Sequence, residues 1–125
     1  MELAGSFALV TGANRGLGKT IVEALLEAGA CKVYPAARQA SAVALGDPRI
    51  VPLAVDVADI AQIARAAARA PDVQVLVNNA GVTAVQPLLD PSDPRGAELE
   101  MRVNYFGTLE MCRAFAPILV RGGGL

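Results

Sequence analysis

A chain of 125 residues is long enough for one domain with its own buried core. With 54% hydrophobic and 18% charged residues it is not intrinsically disordered, and a net charge of −1 with no basic stripe argues against nucleic acid or an anionic membrane surface as a partner. No histidine is present, which excludes a His-ligated metal site and a Ser-His-Asp triad within this chain.

The amino-terminal MELAGSFALVTGA has no basic leader, carries Glu2 and holds an apolar run of only four residues, so it reads as a buried strand and not as a signal peptide. No stretch is long enough to span a bilayer, and a soluble cytoplasmic protein is the expectation. Cys31 and Cys112 lie far apart among apolar neighbours and are expected to be buried, reduced thiols.

In chain order, Phe7 to Val10 is a short apolar run ended by Thr11-Gly12, as expected of a strand covered on both faces. Leu17, Ile21 and Leu25, with Val22 and Leu26 beside them, mark one face of a helix closed by Gly29. Residues 31–37 form a second strand, with Pro35 expected near its end because it lacks a ladder donor. Residues 50–55 form a third. Asp59 reads as the N-cap of a helix that carries Ile60, Ile63, Ala64 and Ala67 and stops before Pro71. A fourth strand covers 73–77, and an irregular stretch with three prolines covers 83–94. Leu99, Val103, Phe106, Leu109 and Cys112 then trace the face of a long helix. Pro117 is expected to bend or end it, and Gly122 to Gly124 to finish it. Strands alternating with helices imply right-handed βαβ crossovers and a parallel sheet.

The first strand runs into TGANRGLGKT and then a helix. Gly12, Gly16 and Gly18 let the chain turn tightly and bring backbone close to a phosphate, while the helix N-terminus offers free N–H groups to the anion. The same residues also admit a nucleoside-triphosphatase reading. ANRGLGKT approximates a Walker A loop with Ala13 in place of its first glycine, Lys19 on the phosphates and Thr20 on Mg²⁺, and Asp56 ends the third strand as a Walker B residue would. Three features oppose it. Gly12 falls where the strand must turn, the fourth strand ends in Asn78-Asn79-Ala80-Gly81, and the last helix carries a lone polar Asn104 beside its apolar face.

TGANRGLG, the Asp56-Val57 pair, NNAG and Asn104, each at the end of the expected element, together make the chain resemble the short-chain dehydrogenase/reductase family along its whole length. The resemblance implies an α/β Rossmann-like, doubly wound parallel sheet, here its strands 1–4 in the order 3-2-1-4, with a dinucleotide at the switch point between strands 1 and 4. Residues 1–125 would then be one NAD(P)-binding domain. Gly12, Asn14, Arg15, Gly16, Leu17 and Gly18 would form the pyrophosphate loop, with Leu17 offering a backbone N–H and Gly18 serving helix–sheet packing. Asp56 and Val57 would meet the adenine, although Asp56 has a plain alternative as a loop carboxylate capping the next helix. Asn79, Ala80 and Gly81 would line the ribose region, and Asn78 and Asn79 could equally tie strand ends together. Arg38 after the second strand and Arg15 before Gly16, with no acid beside them, favour NADP(H) over NAD(H).

Hydride transfer in this family uses a Tyr as general acid/base, a Lys four residues later and a Ser, with Asn104 resembling a fourth member whose backbone carbonyl supports a water. The chain's Tyr34 and Tyr105 are followed at that distance by Arg38 and Leu109, and Ser6, Ser41 and Ser92 lie in the wrong elements. The expectation is therefore the cofactor-binding half of an oxidoreductase acting on a small carbonyl or alcohol, ending before the catalytic segment and inactive by itself, with a homo-oligomer implied by the long helix. A non-catalytic dinucleotide-binding module is the other reading.

Overall fold

A computed structural model of the chain describes residues 2–43, 46–84, 87, 89, 92 and 94–124. Strand β1 (Phe7–Thr11) lies inside a parallel sheet, and its Ala8, Leu9 and Val10 have no exposed surface. Beside it run β2 (Lys32–Ala37) and β4 (Val75–Val77), and β3 (Leu53–Ala54) lies outside β2, giving the order β3-β2-β1-β4. Leu9 is in register with Tyr34 on one side and Leu76 on the other.

A strand apolar on both faces needs cover on both. Helix α1 (Gly16–Glu27) covers one face, where Val22, Leu25 and Leu26 pack on Ala8, Val10 and Val33. Helices α2 (Ile60–Arg69) and α4 (Thr108–Gly122) cover the other, where Ile63, Ala66, Met111, Phe115 and Ile118 meet Leu9, Tyr34 and Leu53. Short helix α3 (Arg95–Glu100) runs into α4 through a π-helical segment, Met101–Gly107. The result is the expected doubly wound sheet with order 3-2-1-4.

Several details depart from the sequence reading. Pro35 sits inside β2, not near its end, opposite Val10 of β1. Val33 bonds the outer strand on both sides of Ile50, and Ala37 accepts from Val55, so Pro35 withholds its missing N–H from the β3 side. That gap leaves β3 as Leu53–Ala54, with Ile50 joined only by an isolated bridge to Val33. Asp59 caps α2 as expected, but the buried face is Ile63 and Ala66, while Ile60 is 67% exposed and Ala64 is exposed. Leu17 is likewise exposed, at the first turn of α1.

The face expected for the last helix is wrong. Its buried residues are Met111, Phe115 and Ile118, whereas Leu99, Phe106 and Cys112 are exposed. The π segment inserts extra backbone per turn and so rotates everything after it. Pro117 does not end α4. The carbonyl it leaves without a donor belongs to exposed Arg113, where water can serve, and the helix continues to Gly122 and a left-handed Gly123. Cys31 and Cys112 are free but exposed, not buried. Cys31 lies in the turn before β2, and Cys112 is one step round the helix from buried Met111, so apolar sequence neighbours say nothing of its own direction. Of the irregular stretch 83–94, residues 85, 86, 88, 90, 91 and 93 lie outside the described residues.

At the amino ends of the strands, Lys32 Nζ donates to Asp72 Oδ2 (2.6 Å) and Tyr34 Oη (3.1 Å), and Tyr34 donates to Asp72 Oδ1 (2.7 Å). The bonds to Asp72 and Tyr34 raise the Lys32 pKa. Burial, then the bond to Asp72, raises that of Tyr34. Burial opposes the Asp72 carboxylate, but the bonds from Lys32 and Tyr34 outweigh it and hold its pKa below the usual range.

Candidate functional site

The carboxyl ends of the strands open into a cleft of about 920 Å³. Its floor is the β1–α1 turn. Gly12 has φ +65°, and a side chain there would press within 2.9 Å of the Ala80 Cα. Ala13 extends the ladder by donating to the Ala36 carbonyl (3.1 Å). Gly16 has φ +52° and nothing within 4 Å of the place a Cβ would take, so the backbone there faces open space. Gly18 is different. A Cβ on it would overlap the Gly12 carbonyl and the Asn79 amide, so its role is close packing of helix against turn.

Helix α1 begins with Arg15 as its N-cap, with no side-chain cap bond and no acid in its first turn. Its first N–H groups therefore face the cleft side without an internal acceptor, which suits an anion. Lys19 lies farther along α1, 3.9 Å from Glu23, and the Thr20 hydroxyl donates back to the Gly16 carbonyl (3.3 Å). Neither residue of the Walker reading lines the cleft.

Arg38 and Gln39 are exposed just past β2. Past β3, Asp56 accepts from the Ala58 N–H (2.9 Å), and its own N–H donates to Gln62 Oε1 (2.9 Å). Asp59, not Asp56, caps α2, accepting from the Gln62 N–H (3.1 Å), and that bond lowers its pKa. The capping alternative for Asp56 is therefore corrected: this carboxylate closes a local turn at the cleft edge.

Past β4, the Asn79 side chain donates to the Thr11 carbonyl (3.0 Å) and the Gly12 carbonyl (3.2 Å). The backbone N–H groups of Asn79 and Ala80 both donate to Thr11 Oγ1 (3.0 Å each). Asn79 thus ties β4 to β1. Asn78 instead donates to Cys112 Sγ at 3.4 Å. Gly81 follows, with Asn104 Oδ1 3.4 Å from its would-be Cβ. Asn104 holds Val82 at both ends, accepting from its N–H and donating to its carbonyl (2.8 Å each), while the Asn104 carbonyl accepts from the Thr108 hydroxyl (2.8 Å).

All the expected cofactor residues, Gly12, Asn14, Arg15, Gly16, Leu17, Gly18, Arg38, Asp56, Val57, Asn79, Ala80 and Gly81, line this one cleft. Asn104 does not line it and stands behind Gly81. Sequence reasoning missed Thr11, whose hydroxyl organises the β4 turn, and Leu99 and Val103, which close the cleft from the helix side. A hydroxyl at the last residue of a buried strand, just before a turning glycine, was the available signal for Thr11. Neither tyrosine is at the cleft. Tyr34 is bound to Lys32 and Asp72, and Tyr105 is exposed and edge-on to Phe106 at 5.1 Å.

The family profile described as short chain dehydrogenase matches residues 6–125. A short chain dehydrogenase of Aspergillus terreus is 32% identical over 97% of this chain and 29% of its own length. Among solved structures, a short chain dehydrogenase from Burkholderia cenocepacia in complex with NADP is 51% identical, with a TM-score of 0.96 over 99% of this chain and 52% of that one. A short chain dehydrogenase/reductase from Burkholderia phymatum in complex with NAD is 29% identical, with a TM-score of 0.86 over 97% of this chain and 46% of that one. The chain spans about half the length of these structures and less than a third of the fungal relative. With the motifs gathered in one cleft at the switch point and the family match running through the sheet and its helices, the chain belongs to the short-chain dehydrogenase/reductase family.

Proposed function

We propose that this chain is the NADP(H)-binding half of an oxidoreductase that exchanges a hydride between the nicotinamide and a carbonyl or alcohol substrate. The observation that carries the reading is the cleft: an uncapped helix N-terminus, an open Gly16, and two arginines, Arg15 and Arg38, on its lining. The bound nicotinamide would supply or accept the hydride. The chain's own residues would hold it: the backbone N–H groups at 16–18 take the pyrophosphate, Arg38 and Arg15 the 2′-phosphate, Asp56 and Val57 the adenine, and 79–81 the ribose. The B. cenocepacia relative is in complex with NADP, which supports the preference, whereas the B. phymatum relative is in complex with NAD.

Tyr, Lys and Ser in the family's arrangement are not in this chain, so on this reading it binds cofactor without turning over substrate. Self-association through exposed Met101, Tyr105 and Phe106 belongs to the same reading. The test is fluorescence titration with NADPH and NADH. Tighter binding of NADPH, with the preference cut about tenfold or more by Arg38→Ala, is expected. Equal affinities in both proteins would sink the NADP(H) assignment.

A further inference from the structure

Residues 82–84, past β4, are held by side chains of the helix that follows. Glu100, the last residue of α3, accepts through Oε1 from the Ala84 N–H. Asn104, about one turn on, takes both backbone groups of Val82. Residues 82–84 thus have three backbone bonds to one helix, at the place where its winding changes from α to π. The far end of the same segment meets the other loop of the cleft: a Cβ on Gly107 would come within 2.9 Å of Val57 Cγ2 and 3.0 Å of the Val57 carbonyl. Val57 and Val82 both line the cleft. The π segment therefore touches the loop past β3 and the loop past β4 at once. π turns are rare and recur at functional sites, where they set the direction of side chains.

A dinucleotide laid across the switch point puts its adenosine over β2 and β3, so its nicotinamide half falls on the β4 side. The β4 loop then fixes how close that half can come.

We propose that Glu100 is a positioning residue for the cofactor cleft, its carboxylate pinning the Ala84 N–H and so placing the 82–84 backbone along the nicotinamide half of the cofactor. The inference rests on the reading that this cleft takes NADP(H). Glu100 is half-buried, so a charge-assisted bond to a backbone N–H is worth more there than in open water. What the loop needs is an acceptor at that point, and the glutamine amide oxygen also supplies one.

The experiment compares Glu100→Ala and Glu100→Gln in the 125-residue chain. NADPH and its adenosine end alone, adenosine 2′,5′-bisphosphate, are titrated into each, and exchange of the Val82 and Ala84 amides is followed by NMR. Glu100→Ala is expected to weaken NADPH about tenfold, to change the bisphosphate less than about twofold, and to speed exchange at Ala84 about tenfold, from the loss of one charge-assisted bond. Glu100→Gln, whose acceptor is neutral, should fall between the parent and the alanine variant, within about fivefold of the parent in NADPH affinity and Ala84 exchange and within about twofold for the bisphosphate. The proposal is overturned if Glu100→Ala leaves NADPH affinity and Ala84 exchange unchanged. It is overturned equally if both ligands weaken alike, which marks general loosening, or if Glu100→Gln is as damaged as the alanine variant. A parent chain that binds no NADPH overturns the cofactor reading and this cofactor role with it, and the Ala84 exchange rates then still decide whether Glu100 holds the loop.

Discussion

Replacing Thr11 with valine should unfasten the cleft while leaving its shape. Thr11 is 2% exposed, its Oγ1 accepts from two backbone N–H groups at 3.0 Å, and its hydroxyl donates to the Val77 carbonyl at 3.4 Å. Valine fills the same volume and leaves the Ala80 N–H without an acceptor, while the Asn79 N–H keeps the Val77 carbonyl at 3.2 Å. A buried donor left without an acceptor costs about 1–3 kcal/mol. Ala80 is only partly buried, so water can reach toward it and the lower part of that range applies. The loss is about 1–2 kcal/mol, which at this size lowers the melting temperature by roughly 4–8 °C. Thr11→Ser keeps the hydroxyl and loses one methyl, about 1 kcal/mol. Urea unfolding followed by circular dichroism measures both losses, and NADPH titration separates the two variants: the valine protein should bind several-fold more weakly and the serine protein like the parent, because the turn that valine loosens lines the cleft. A valine variant within about 0.5 kcal/mol of the parent, or a serine variant that binds NADPH as weakly as the valine one, would refute the argument that the hydroxyl organises this turn.

Gly18→Ala places a methyl against the Gly12 carbonyl, which is backbone and cannot swing away, so stability should fall by about 1–3 kcal/mol and NADPH binding with it; an unfolding midpoint equal to the parent's would contradict the packing role. Lys19→Ala should change NADPH affinity less than about twofold, since Lys19 is exposed near Glu23 and outside the cleft lining, and a tenfold loss on titration would reopen the Walker reading. The Lys32–Tyr34–Asp72 cluster predicts a window of stability. Asp72 has a lowered pKa, so its contribution is present above the ordinary carboxylate range and lost as pH falls through the folded value. Lys32 and Tyr34 have raised values, so theirs is full below about pH 10 and lost as pH rises through the folded values. Lys32 and Asp72 side chains are about a third exposed, so the effect is on the order of 1 kcal/mol or less. Unfolding midpoints measured from pH 3 to 11 for the parent and Asp72→Asn should differ most near neutrality and converge in acid; parallel curves would refute the assignment.

The parts of this molecule that could be read from sequence are those whose signal is local. A four-residue apolar run before Gly12 needs burial on both faces, and three glycines in one turn leave few uses for it. Because the sheet is parallel, every such turn returns to the same edge, and twelve residues read from four separate segments line one cleft. What failed was periodicity carried across a change of winding. Leu99, Val103, Phe106 and Cys112 fit one α-helical stripe only if each residue turns the helix by about 100° throughout. The π segment at Met101–Gly107 breaks that assumption: Leu99 and Val103 face the cleft, Phe106 is exposed, and the core falls to Met111, Phe115 and Ile118. A winding defect costs helical hydrogen bonding and would not persist without return. Its return is visible in the neighbouring loops, where Glu100 and Asn104 satisfy three backbone groups past β4 and Gly107 admits Val57 past β3. The same departure that hid the helix face from the sequence therefore joins the two loops of the cleft, and residues such as Glu100 carry their meaning only once that joint is seen.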